Sequence, residues 1–200
     1  MDGQGRYRIV LTLGAFLCGI ILVFGAILLA SGRAPSPIGP AIAAVGGPFH
    51  LEDQNGKPVS DADMKGRPFL VFFGFTHCPD VCPTTLFDVS QVLHQLGKDA
   101  DRAGALFITV DPERDTPAVL KEYLSNFDPH LRGLTGDPTA VSAAIKAYRV
   151  YAKKVPLDNG DYTMDHTAVV YLMDRDGRFV APFDLKRTPE TAAADLRRYL

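Results

Sequence analysis

The stretch Phe69-Leu-Val-Phe-Phe-Gly-Phe-Thr-His-Cys-Pro-Asp-Val-Cys-Pro-Thr84 decides how this chain is read. It opens on a short, nearly all-apolar run, Phe69 to Phe75, of the kind that suits a central strand covered on both faces. Beyond it Leu86, Val89, Leu93 and Leu96 recur at helical spacing, and Gly97 supplies a stop. Two cysteines, Cys78 and Cys82, therefore fall between a buried strand and a helix.

Working outward, the same alternation repeats. Asn55-Gly56 is a turn signal between Phe49–Leu51 and Val59, which predicts a small hairpin at the start of the domain. Ala105 to Val110 reads as a second buried strand. Thr116-Pro117 reads as an N-cap and first helical residue, followed by the apolar face Val119, Leu120, Tyr123, Leu124 and Phe127. A further helix is expected over Thr139–Tyr148 and a strand over Thr167–Met173. Asp174-Arg-Asp-Gly177 turns into a strand over Arg178–Pro182, and Thr188-Pro189 opens a last helix to Leu200. Strands alternating with helices and ending in a hairpin plus helix fit an α/β domain. The expected form is a thioredoxin-like mixed sheet flanked by helices, occupying residues 48–200.

The amino-terminal part is different in kind. Ile9 to Ala30 contains no charged residue. As a helix it spans about 33 Å, enough for a bilayer core. Arg6 and Arg8 precede it and only Arg33 follows closely, so residues 1–8 are expected in the cytoplasm and the remainder across the membrane. A cleaved signal peptide is the rival, but its apolar core normally covers only about 7–15 residues. A transmembrane anchor over 9–30 is therefore expected, with Cys18 a small apolar residue facing lipid. The Pro-, Gly- and Ala-rich segment 31–47 is expected to be a flexible tether. A net charge of -2 and the lack of a Lys/Arg run give no basic face for nucleic acid.

The chemistry lies with the cysteines. If the first helical turn includes both, a spacing of four places their sulfurs on one face, with Cα atoms about 6 Å apart and within disulfide range. A helix N-terminus favours thiolate. Such a pair suits either a soft metal or a reversible disulfide. A metal site needs a further ligand, and His166, just before an expected buried strand, is the candidate. His77, adjacent to Cys78, ranks second. His50, His94 and His130 read as ordinary surface or satisfied histidines. Two thiolates and one imidazole suit copper(I), and copper(II) with added ligands, better than a four-ligand structural zinc site. Asp111 and Asp115 read first as caps of a turn and of the following helix, and second as an acidic partner surface or electrostatic support for the site. Asp80, between the cysteines, is placed either to oppose thiolate formation or to meet a partner.

Three segments together carry a resemblance. Phe73-Gly-Phe-Thr-His-Cys-Pro-Asp-Val-Cys-Pro-Thr-Thr-Leu86, Val110-Asp-Pro-Glu-Arg-Asp-Thr-Pro117 and Asp165-His-Thr167 resemble the signature of the Sco/SenC family. The resemblance implies a thioredoxin-like fold and copper held by Cys78, Cys82 and His166. It implies a role in building the dinuclear copper centre on cytochrome c oxidase subunit II, with other periplasmic copper carriers as further partners. Because some members of the family act mainly as thiol reductases, the alternative is a thiol–disulfide oxidoreductase that reduces the copper-site apoprotein. A peroxide-reducing thioredoxin relative is a distant third. His166 favours the chaperone, since a redox enzyme has no evident need of it. The expected location is a bacterial inner membrane, single-pass, with the domain in the periplasm, in preference to a mitochondrial inner membrane, since no Arg/Ser-rich transit segment is evident.

Overall fold

The computed structural model describes the backbone over residues 3–30 and 45–200, with side chains in the first stretch at 8 and 11–27. The first stretch is one helix, α1 (Gly3–Ala30), and it covers the residues 9–30 expected to form an anchor. Its described large apolar side chains, among them Phe16, Ile20, Ile21, Leu22, Val23 and Phe24, are exposed. Among the described residues no helix is long and apolar enough to cross a membrane. Most of the expected tether, 31–44, lies outside the described residues. Its end does not behave as a tether: Gly46 N–H donates to the Ala147 carbonyl at 3.0 Å.

The second stretch builds a seven-stranded sheet. Its strands are β1 (His50–Asp53), β2 (Pro58–Ser60), β3 (Phe69–Gly74), β4 (Gly104–Thr109), β5 (Leu131–Thr135), β8 (Val170–Met173) and β9 (Phe179–Pro182), in the order β2-β1-β5-β4-β3-β8-β9. β4 runs parallel to β3 and β5, while β8 is antiparallel to β3 and β1 to β5, which makes the sheet mixed as expected. Every residue of β3 and of β4 is buried. That follows from their almost wholly apolar sequences; the polar exception, Thr109 at the end of β4, has its hydroxyl bonded to Asp115. Each fully buried phenylalanine, such as Phe72, Phe73 and Phe107, contributes about 1.5–3 kcal/mol relative to exposure.

The helices follow their expected starts. α2 (Val81–Leu96) leaves β3 after a loop and ends at Gly97, whose φ of 57° suits glycine. α3 (Pro117–Leu124) is capped by Thr116, which accepts from Val119 N–H at 3.4 Å. α4 (Pro138–Ala147) is capped by Asp137, and α5 (Pro189–Arg197) by Thr188. α5 packs on α2, α3 on β5 and α4 on β1.

Four strands, β5 to β8, depart from the sequence expectation. β5 was not anticipated: Arg132 and Gly133 interrupt its apolar pattern, and Arg132 turns outward to donate to the buried Asp53 at 2.8 Å. A separate two-stranded sheet also emerges, β6 (Ala152–Pro156) against β7 (Tyr162–His166). The strand expected over 167–173 begins only at Val170. His166 consequently does not lead into the buried sheet but ends this outlying hairpin.

Candidate metal centre

The site forms where β3 ends. Gly74, the last residue of β3, has no room for a side chain: a Cβ there would lie 2.8 Å from Cys82 Sγ and 2.7 Å from the Phe107 ring. The chain then loops through Thr76 and Cys78 before α2 starts. Cys78 thus precedes the helix and only Cys82 lies in its first turn, a correction to the expected placement. The pair still converges, because Cys82 N–H donates to Cys78 Sγ at 3.3 Å. Cys82 is fully buried and Cys78 half-buried, and both are free thiols, as is the exposed Cys18.

His166 arrives from the other direction. Its Nδ1 donates to the Thr167 carbonyl at 3.2 Å, which leaves Nε2 facing Cys82 Sγ at 3.5 Å. Two phenylalanines of the β3 segment hold the ring edge-on, Phe72 at 6.3 Å and Phe75 at 5.7 Å between centroids. One donor atom each from Cys78, Cys82 and His166 lies within 4.8 Å of the others. It is the one cluster of potential metal ligands among the described residues.

The electrostatics overturn one expectation. Burial pushes the Cys82 thiol far above the usual cysteine range, with the neighbouring Cys78 and Asp115 adding to the effect. The helix N-terminus does not make Cys82 a thiolate on its own. Burial likewise holds the His166 imidazole below the usual histidine range, only partly opposed by the Thr167 carbonyl and Asp165. The buried pair is therefore a neutral thiol donating to a neutral imidazole. A cation that takes both must displace the Cys82 proton, and a soft, thiophilic ion is suited to do so.

The remaining candidates separate cleanly. His77 is exposed and its Nδ1 meets Thr76 Oγ1 at 3.1 Å, away from the cluster. His130 lies between Asp128 and Asp101 at 2.7 and 3.2 Å. Asp80 is exposed at the start of α2 with no capping bond of its own. Asp111 and Asp115 are buried, so neither offers an acidic surface. Nor do they cap the helix, which Thr116 does. Asp115 accepts from Thr76 N–H at 3.1 Å, Thr76 Oγ1 at 2.6 Å and Thr109 Oγ1 at 2.7 Å. Burial raises its pKa above the usual carboxylate range despite these donors.

The SCO1/SenC family model matches residues 39–200. The chain belongs to the SCO1/SenC family. This family member is 46% identical over 141 residues to the Saccharomyces cerevisiae protein SCO2, mitochondrial, a match covering 68% of this chain and 46% of the yeast protein. It therefore spans less than half of that relative's length. A SCO2-like protein of Rickettsia felis is 40% identical over 148 residues, 73% of this chain and 72% of its own. Among solved structures, copper-bound ScoI of Bradyrhizobium japonicum superimposes with a TM-score of 0.77 at 70% identity, covering 78% of this SCO1/SenC chain and 100% of that one. The thioredoxin-like mixed sheet is the fold they share.

Phe72, Phe75 and Gly74, read from the sequence only as parts of an apolar strand, pack directly against His166 and Cys82. The signal available was their position: all three flank the point where an apolar strand gives way to the cysteine loop.

Proposed function

We propose that this chain is a membrane-anchored copper chaperone that delivers copper to, or prepares, the dinuclear copper centre of cytochrome c oxidase subunit II. The observation that carries the reading is the convergence of two sulfurs and one imidazole nitrogen from three separate segments within 4.8 Å. Copper is the cargo. Cys78 and Cys82 would hold it as thiolates and His166 through Nε2, since Nδ1 is engaged by Thr167. This donor set fits copper(I), which tolerates low coordination and prefers sulfur; copper(II) would ask for additional ligands. The copper-bound relative from Bradyrhizobium japonicum supports the choice of metal. For the anchor, the support is the uncharged run 9–30 and the apolar side chains of α1 at successive positions 20–24, which cover all sides of a helix as lipid requires. The domain then lies in a bacterial periplasm, which a reporter fused after Leu200 tests: activity on the cytoplasmic side would overturn the topology.

A second reading is favoured by the two free thiols so close together. Cys78 and Cys82 can reduce a disulfide of a copper-site apoprotein, surrendering two electrons and two protons and closing a disulfide between themselves. The roles are compatible, since the acceptor's thiols must be reduced before they bind copper.

The deciding experiment is copper stoichiometry and X-ray absorption on the reduced, detergent-solubilised full-length protein. One copper(I) with two sulfur and one nitrogen ligands is expected. His166→Ala removes the nitrogen and weakens binding, and Cys78→Ser or Cys82→Ser weakens it more. An unchanged copper environment in His166→Ala would falsify the ligand assignment. In cells, low oxidase activity relieved by thiol reductants but never by copper would move the conclusion to the reductase.

A further inference from the structure

The two halves of the metal centre belong to different sheets, and no strand pairing joins β7 to the seven-stranded sheet. Beyond the Phe72 and Phe75 rings on His166 and the packing of Ala152 and Met164 against the core, the polar link between them is the short loop between β4 and α3, residues 111–116. One side of this loop grips the cysteine segment. Asp115 receives Thr76 N–H and Thr76 Oγ1, two residues before Cys78, and Thr109 Oγ1 from the end of β4. Its own N–H, like that of Arg114, donates back to the Asp111 carbonyl, so the loop closes on itself. Asp111 N–H is in turn held by Thr109 Oγ1 at 2.9 Å.

The other side grips the hairpin. The Arg114 guanidinium lies 3.8 Å above the Tyr162 ring and donates to the Tyr162 carbonyl at 2.9 Å and to Asp161 at 3.3 Å. It is anchored behind by Asp111, which also accepts from the Tyr162 hydroxyl at 2.9 Å. The Tyr162 ring has Lys154 on it as well, at 4.1 Å, and Lys154 is paired with Glu113 of the same loop at 2.7 Å. The guanidinium also reaches the Phe75 ring at 6.0 Å, and Phe75 is one of the two rings that hold His166. Arg114 is 16% exposed and Asp111 2% exposed along their side chains, so solvent screens this pair little.

We infer that Arg114 is the positioning residue of the copper site: by locking Tyr162 and Asp161 to the 111–116 loop it sets the His166-bearing hairpin against Cys78 and Cys82. This rests on the proposed copper function for its consequence, though not for its geometry. Asp115 serves the cysteine side of the same loop. Neither residue touches the ligand atoms; each acts through the segment that carries them. The planar, many-donor guanidinium suits the task, since it lies flat on a ring while donating several hydrogen bonds in fixed directions within its own plane, whereas an ammonium is a compact point charge.

The test uses the full-length protein in detergent, with Arg114→Ala, Arg114→Lys and Tyr162→Phe. Hydrogen exchange on the metal-free protein is read first. Arg114→Ala should speed amide exchange in 152–166 at least about tenfold while β3 and β4 keep wild-type protection, which global destabilisation would not produce. Copper(I) affinity should fall about 10- to 100-fold, the usual range for residues supporting metal ligands, with the nitrogen signature weakened and both sulfurs retained. Arg114→Lys should restore little of either. Tyr162→Phe keeps the stacking and removes only the hydroxyl bond to Asp111, so a smaller change in the same direction is expected even if Arg114→Ala fails to fold. Wild-type exchange in 152–166 and an intact nitrogen signature in the folded variants overturn the inference. Should the wild-type protein take up no copper, the proposed function falls, while the exchange data still decide whether Arg114 places the hairpin.

Discussion

The sulfur half and the nitrogen half of this site are built in opposite ways. Cys82 sits where a fully buried strand meets the buried face of an amphipathic helix, and its own side chain is part of the core. His166 ends a two-stranded hairpin in which no residue of β6 or β7 is fully buried. The first half is held by hydrophobic burial, the second mainly by hydrogen bonds, ion pairs and stacked rings, with only Ala152 and Met164 packed against the core. Ligands of one site can therefore differ widely in what sustains them, and damage to each half should look different.

The contrast is broken most forcefully in the core. Phe107→Ala should destabilise the domain by about 3–5 kcal/mol, seen as a lowered denaturant midpoint, whereas Lys153→Ala on the hairpin should stay within about 0.5 kcal/mol. Equal losses from the two would mean the hairpin belongs to the same cooperative unit. Next comes Gly74→Ala, whose new methyl must push aside the Cys82 sulfur and the Phe107 ring. A loss of about 1–3 kcal/mol is expected, together with weaker copper binding. Wild-type stability and binding would show that the end of β3 yields more easily than its packing implies.

On the hairpin side, removing the ion pair of Lys154 and Glu113 should have a smaller effect. Both side chains are substantially exposed, 42% and 60%, so a double-mutant cycle should return about 0–1 kcal/mol, shrinking further in high salt. A salt-insensitive coupling above that range would place the pair in a drier setting.

The smallest effect is a pH dependence on the sheet side. The hydrogen bond to Asp128, with Asp101 assisting, raises the His130 pKa above its ordinary 6.5. Because the folded protein then holds the proton more tightly than the unfolded chain, this stabilisation is fully present below about pH 6.5. It is lost as pH rises through the raised folded value. Melting curves of wild type and His130→Gln should converge as pH increases through that window; parallel curves would remove His130 from the account.

The same contrast explains what the sequence disclosed. β3 and β4 were legible because total burial demands nearly continuous apolar runs, and two helix starts were legible because Thr116 and Thr188 each stand before a proline; the same signal at Asp137-Pro138 was passed over, and that helix was expected one residue late. The hairpin was not, since Ala152-Lys-Lys-Val-Pro156 carries no buried face to impose alternation. Asn159-Gly160 was the one cue, a turn dipeptide whose glycine adopts a φ of 83°. The position of His166 beside the cysteines was foreseen, but its route was not, because nothing in a linear pattern distinguishes the end of an exposed hairpin from the start of a buried strand. The roles of Asp111 and Asp115 were likewise hidden, since their partners Tyr162 and Thr76 lie 51 and 39 residues away.

Gly74 leaves a hollow at the end of a core strand, and the Cys82 sulfur fills it. One atom is thereby answerable to two kinds of selection, for a well-filled interior and for affinity toward a metal. Cys78, only half-buried, answers mainly to the second. Over evolutionary time the two cysteines should therefore tolerate change unequally. A lineage that abandoned copper would be free to replace Cys78 with many residues, yet at position 82 it would remain confined to side chains small and apolar enough to sit where the sulfur does.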